Sequence, residues 1–196
     1  MPVEQIAGQY QASPQTFVDG STIAVQVDSA GNLKTSGVGY TSSATFTRTA
    51  DTNAYTAGDV IGSATGSTAA LTFANVGPTG GGEIIVTTAK LQIDIASIPS
   101  GMTGFLLYLY SVTPPSALGD NAAFDLPSGD RASFLQPVAL GAPVDLGSTL
   151  VVVTAQINQQ ISVASGGSLF GYLVTIGGYT PAASSVFSVQ IKAVGV

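Results

Sequence analysis

The sequence predicts an all-β protein: a two-sheet antiparallel sandwich, jelly-roll-like, preceded by an extended N-terminal arm. Three observations carry that expectation. Short apolar–polar alternations recur along the chain, separated by Gly, Pro, Asn and Asp. No window sustains a capped helical period; the nearest is Pro114–Asp125, where one turn of helix after Pro115 is the most the pattern allows. The chain of 196 residues has a mean hydropathy of +0.41, so it can bury one sizeable core and carry an appendage. Charged residues make up only 8% of it, yet its high apolar content excludes a chain kept disordered by charge.

Residues 1–43 are rich in Gln, Ser, Gly and Thr. Only Thr22–Asp28 alternates cleanly there, with Ile23, Val25 and Val27 on one face, followed by a turn at Ser29–Asn32. So few large apolar side chains cannot offset the entropy of ordering a separate core, and the region is expected to be an arm carrying a short hairpin.

Residues 44–196 are expected to form the sandwich. Its runs are Ala44–Thr49, Thr68–Val76 with Leu71 and Phe73 inward, and Glu83–Ser97 with Leu91, Ile93 and Ile95 opposite Lys90, Gln92 and Asp94. Thr149–Ala155, Gln159–Ala164 and Ser168–Ile176 follow, and Val186–Val194 closes the series with Phe187, Val189 and Ile191 inward. About eight or nine strands, some joined by long loops, suit a jelly roll better than an up-and-down barrel with tight hairpins.

One run is apolar on both faces. In Gly104–Val112, Phe105, Leu107 and Leu109 point one way and Leu106, Tyr108 and Tyr110 the other. A strand of an antiparallel sheet usually spares one face for water, so this one needs a cover: the arm, a long loop or another subunit. Tyrosine is enriched where an apolar body needs a polar tip, which favours another subunit meeting Leu106, Tyr108 and Tyr110.

The absences narrow the chemistry. Without His, Cys or Trp the chain has no Ser-His-Asp triad, cysteine nucleophile, disulfide, or zinc site of imidazole and thiolate, so no catalytic residue, cofactor or metal site is assigned. Five basic residues against eleven acidic ones give a net charge of −6 with no basic run, which argues against nucleic acid and anionic membrane as partners. The start has no basic and apolar segments of a secretory signal, and no stretch approaches the roughly 20 apolar residues of a membrane span.

The segment Leu118–Arg131 gathers Asp120, Asn121, Asp125 and Asp130, oxygen donors of the kind a calcium ion uses, but without EF-hand spacing. Turn-capping is the commoner role for Asp and Asn beside Gly and Pro, and a local ion pair is expected for Arg131. A glycosidase would need two of these acids facing across a groove, which nothing in the spacing provides. The glycine-rich Gly77–Glu83 lacks the Lys-Ser/Thr of a phosphate loop and precedes a strand, so it reads as a connection. Asp51 and Asp59 read as turn residues.

The segments Thr45–Gly62, Ala70–Gly81, Ser100–Leu135 and Val144–Leu150, with the ending IKAVGV, resemble a family of small virion proteins of tailed bacteriophages. The resemblance spans residues 44–196, with a variable region before it. It implies a capsid decoration, or cement, protein on the outer surface of the head, synthesised in the host cytoplasm. It further implies a homotrimer, the major capsid protein as partner, and no enzymatic activity. In that setting the arm is expected to bind the shell through Tyr10, Phe17, Val18, Ile23 and Val25. The competing function is a tail-associated receptor-binding, fibre or baseplate protein, which would expose aromatic side chains on loops.

Overall fold

The computed structural model describes residues 38–63 and 68–196. Ten strands run through them: β1 (Gly39–Thr47), β2 (Val60–Ile61), β3 (Leu71–Phe73), β4 (Gly82–Ile93), β5 (Phe105–Tyr110), β6 (Phe134–Leu140), β7 (Val144–Asp145), β8 (Leu150–Val163), β9 (Leu169–Thr175) and β10 (Val186–Gly195). Sheet one has the order β1-β10-β4-β8-β7 and sheet two the order β2-β9-β5-β6, with β3 also paired to β9. β2 lies along Leu173–Val174 and β3 along Leu169–Gly171, so together they act as one interrupted edge strand.

The pairing is nested: β1 with β10, β2 and β3 with β9, β4 with β8, β5 with β6, all antiparallel. A single long hairpin of four strand pairs, rolled so that alternate pairs fall into opposite sheets, gives this order, and that is the jelly roll. Alternation then decides what lies between the sheets. Phe187, Val189 and Ile191 from β10, Leu91 and Ile93 from β4, and Phe105, Leu107 and Leu109 from β5 are all fully buried in one core.

Several expectations need correction. β1 begins at Gly39, ahead of the boundary at Ala44, because Ser42 turns inward and donates to the Ala74 carbonyl at 2.7 Å; short hydroxyl side chains carry an alternation that hydropathy does not register. Thr149–Ala155 and Gln159–Ala164 are one strand, β8. Thr88 pairs with Ala155 and Val86 with Gln159, so Gln156–Asn158 bulge out opposite Thr87, with Gln156 and Asn158 at positive φ. β6 is an additional strand that Pro137 disguises in the sequence; on the edge of sheet two a missing N–H costs no ladder bond. Pro114–Asp125 contains no helix, only turns and a β-bridge between Asp59 and Ala123. The predicted strand at Thr22–Asp28 and the predicted arm contacts Tyr10, Phe17, Val18, Ile23 and Val25 lie outside the described residues.

Candidate interaction surface

β5 sits inside sheet two, between β9 and β6. Its second apolar set joins a separate cluster on the outer side of that sheet, where Tyr110 meets Val60, Tyr172 and Val174, with Leu106 and Tyr108 packed alongside. The cover is the chain's own β5–β6 loop, which lays Leu118, Phe124 and Leu126 over the strand. The Phe124 ring stacks on Tyr108 with centroids 3.9 Å apart and planes 11° from parallel. Tyr110 meets Phe134 and Tyr172 edge-on at 5.4 and 6.0 Å. Such pairs add directional preference to the burial of apolar area.

Polar groups pin the loop in place. The Tyr172 hydroxyl accepts the Leu118 N–H at 3.2 Å and donates to the Ser116 carbonyl at 3.0 Å. Buried Asp130 accepts the Ser116 hydroxyl at 3.0 Å, and its own carbonyl accepts the Ser133 hydroxyl at 2.9 Å. Asp120 ties the loop to the chain after β1: one carboxylate oxygen accepts the Tyr55 hydroxyl at 2.5 Å and the Gly62 N–H at 2.8 Å, and the other pairs with Arg48 at 3.1 Å. The Arg48 and Asp120 side chains are 0% and 1% exposed. Arg48 also donates to the Tyr55 hydroxyl, lies over its ring, and reaches Asp51 at 3.0 Å.

Burial alone would lower the Arg48 pKa, but Tyr55, Asp51 and Asp120 together hold it above its ordinary value. Burial first, and then the adjoining Asp120 carboxylate, raises the Tyr55 hydroxyl. Burial likewise raises Tyr179, and with the charge of Asp130 it pushes Tyr110 up to about 12. The half-buried Asp51 carboxyl is held below its usual range by the Thr49 hydroxyl and the Asn53 N–H, an Asx turn as expected. Asp59 caps its turn on the Thr56 N–H and hydroxyl.

The structure therefore assigns the predicted site residues differently. Tyr110 is 0% exposed within its own chain and is not free to meet another subunit; the cover is a long loop, whose apolar residues lack any period that would mark them as structural. Leu106 and Tyr108 are half-buried under the same loop. Asp120 and Asp130 are internal staples and Asp125 is exposed, so the predicted acid cluster is not one site. Among the described residues no three acidic side chains converge as metal ligands, and Arg131 makes no ion pair. The Arg48–Tyr55–Asp120 cluster was missed by sequence reasoning; its one local signal is a lone arginine closing an uncharged strand.

The outer side of sheet one is different. Register places Thr45, Ser188, Gln92 and Val151 in one row, Ser43, Gln190, Lys90 and Val153 in the next, and Thr41, Lys192, Thr88 and Ala155 in a third. Short polar side chains tie one another down, Thr45 donating to Ser188 at 3.0 Å and Gln190 to Ser43 at 3.2 Å. Val153 is 58% exposed at the margin, as is Val144, opposite Val151, at 60%. No catalytic arrangement is built here; what this surface offers is area, hydrogen-bonding groups and two ammonium charges.

No family model matches the chain, and no curated protein matches it significantly. Among solved structures it is similar to a chain of the cyanophage Pam1 capsid asymmetric unit, at 15% identity and a TM-score of 0.35, over 91% of this chain and 100% of that one. It is also similar to a chain of rhinovirus-B5, at 12% identity and a TM-score of 0.29, over 97% and 88% of the two chains. A third similarity is to a chain of the heated Israeli acute paralysis virus full particle, at 12% identity and a TM-score of 0.28, over 93% and 83%.

Proposed function

We propose that the protein is a virion structural protein that acts as a capsid decoration, or cement, protein. It binds the outer surface of the assembled head, with the major capsid protein and further copies of itself as partners. The observation that carries this reading is the use of the chain's reactive-looking groups. The buried Arg48, Tyr55, Asp120 and Asp130 are consumed in fastening a loop, so the described residues offer surfaces rather than a reaction centre. The resemblance of residues 44–196 to small tailed-phage virion proteins supplies the setting. A receptor-binding role is disfavoured because every described Phe and Tyr is buried or half-buried, so none of these rings stands free for a sugar to stack on.

The mechanism is linkage. A shell under internal pressure fails where capsomers part, and a clamp that binds the intact junction but not the separated subunits adds its binding free energy to the junction. If residues 1–37 form an arm that reaches a different shell subunit from each copy, contacts of about millimolar strength, roughly 4 kcal/mol apiece, reinforce one another through effective concentration. The test is to delete residues 1–37 and mix the product with purified heads stripped of the protein. Loss of head binding with an unchanged circular dichroism spectrum is expected; a truncated protein that still decorates heads refutes the arm's role. In a stained gel of whole particles the protein should approach the abundance of the major capsid protein. A few to tens of copies would place it in the tail instead.

A further inference from the structure

We infer that the outer face of sheet one is the surface through which one copy of the chain engages a second, with Lys90 and Lys192 set against carboxylates of the neighbour. The inference rests on the self-association proposed above and names a surface for it. Of the two outer faces of the sandwich, that of sheet two is closed by the chain's own loop, whereas no described loop is laid over that of sheet one.

Charge distribution selects the occupant. Lys90 and Lys192 are the two lysines among the described residues, and both fall on this face. They stand on inner strands, where a lysine cannot be guarding a sheet edge against aggregation. Lys192 pairs with Thr88 and Gln190 with Lys90, so the two ammonium groups are diagonal neighbours, about 7 Å apart at Cβ by strand geometry. Among the described residues neither makes an ion pair. Glu83 and Asp94 stand on the same outer face, at the two ends of β4 and beyond the rows that hold the lysines.

A chain of net charge −6 thus places both of its described lysines together at the middle of one face. Exposed Glu83, Asp94, Asp125 and Asp145 are available on any other copy to meet it. The flush hydroxyl and amide side chains and the apolar margin of Val151 and Val153 supply the uncharged area that an interface core requires. Two lysines do not make the phosphate-tracking row that nucleic acid needs.

The experiment is sedimentation velocity on the full chain over a concentration series, at low and high salt, for the natural protein, K90E/K192E and R131E. The natural protein should associate, more weakly at high salt because exposed charges are screened within about 10 Å at 0.1 M. K90E/K192E should associate at least tenfold more weakly, and R131E, altered on the β5–β6 loop, should match the natural protein. Carbodiimide coupling of mixed isotope-labelled and unlabelled chains should join Lys90 or Lys192 to a carboxylate of the other copy. If K90E/K192E melts differently, K90Q/K192Q replaces it and should weaken association by less than the reversal. A natural protein that stays monomeric refutes self-association itself. Association unaffected by either lysine variant, or couplings confined within single copies, refutes this surface and leaves self-association standing.

Discussion

Replacing Asp120 with alanine should destabilise the sandwich by about 3–5 kcal/mol, the usual cost of leaving one member of a buried ion pair without the other. The geometry sets the size. The carboxylate serves Arg48 at 3.1 Å, Tyr55 at 2.5 Å and the Gly62 N–H at 2.8 Å. With both charged side chains sealed from water, solvent cannot take over. After the change the guanidinium keeps the Tyr55 hydroxyl, but its one remaining carboxylate is Asp51, whose side chain is 32% exposed. Gly62 is left with an N–H whose desolvation is uncompensated. For a domain of this length each kcal/mol moves the midpoint by about 2–4 °C, so a fall of roughly 6–20 °C is expected in calorimetry or a circular dichroism melt. Asp51→Ala removes the partner that water can reach and should cost less than about 1 kcal/mol. A D120A midpoint within about 2 °C of the natural protein, or equal losses from D51A and D120A, would refute the account of Asp120 as the fastening of the loop.

Alkali should unfold the protein steeply. Tyr55, Tyr110 and Tyr179 are protonated in the fold and their hydroxyls are raised above the ordinary value near 10, Tyr110 to about 12. The stability this represents is complete below about pH 10 and is lost as pH rises towards 12, by about 4 kcal/mol per pH unit if all three act together. Tyrosinate absorbance followed with circular dichroism checks this: full ionisation near pH 10 in a still-folded protein would contradict it. Phe124→Ala should leave the sandwich folded at a cost of about 1–3 kcal/mol and loosen its cover. Amide exchange should then quicken between Ser116 and Asp130, and unchanged protection there would show that the Tyr108 stack does not hold the loop.

What could be read in advance depended on whether the signal was local. β4, β5 and β10 were legible because the period-two alternation of Leu91 and Ile93, of Phe105 to Tyr110, and of Phe187 to Ile191 is confined to a few residues. That β5 needed a cover was legible too. What supplied it was not, since Leu118, Phe124 and Leu126 stand among Gly, Pro and Asp with no period. The continuity of β8 through its bulge and the edge position of Pro137 depend on partner strands. Arg48 and Asp120, 72 residues apart, are brought together only by the nested pairing, so neither carried a mark of the other.

The nesting also governs how the chain must reach its native state. Thr45 bonds to Ser188 across 143 residues, and Ser43 to Gln190 across 147, so the first strand stays without its mate until nearly everything after it has been made. Closure of such distant pairs has to be met in entropy before any contact repays it, which puts this topology among the slow folders. During synthesis β1, a nine-residue run without charge or proline, waits as an open template. Nascent chains of this protein should therefore depend on holding factors, or on dilution, until β10 emerges to occupy it.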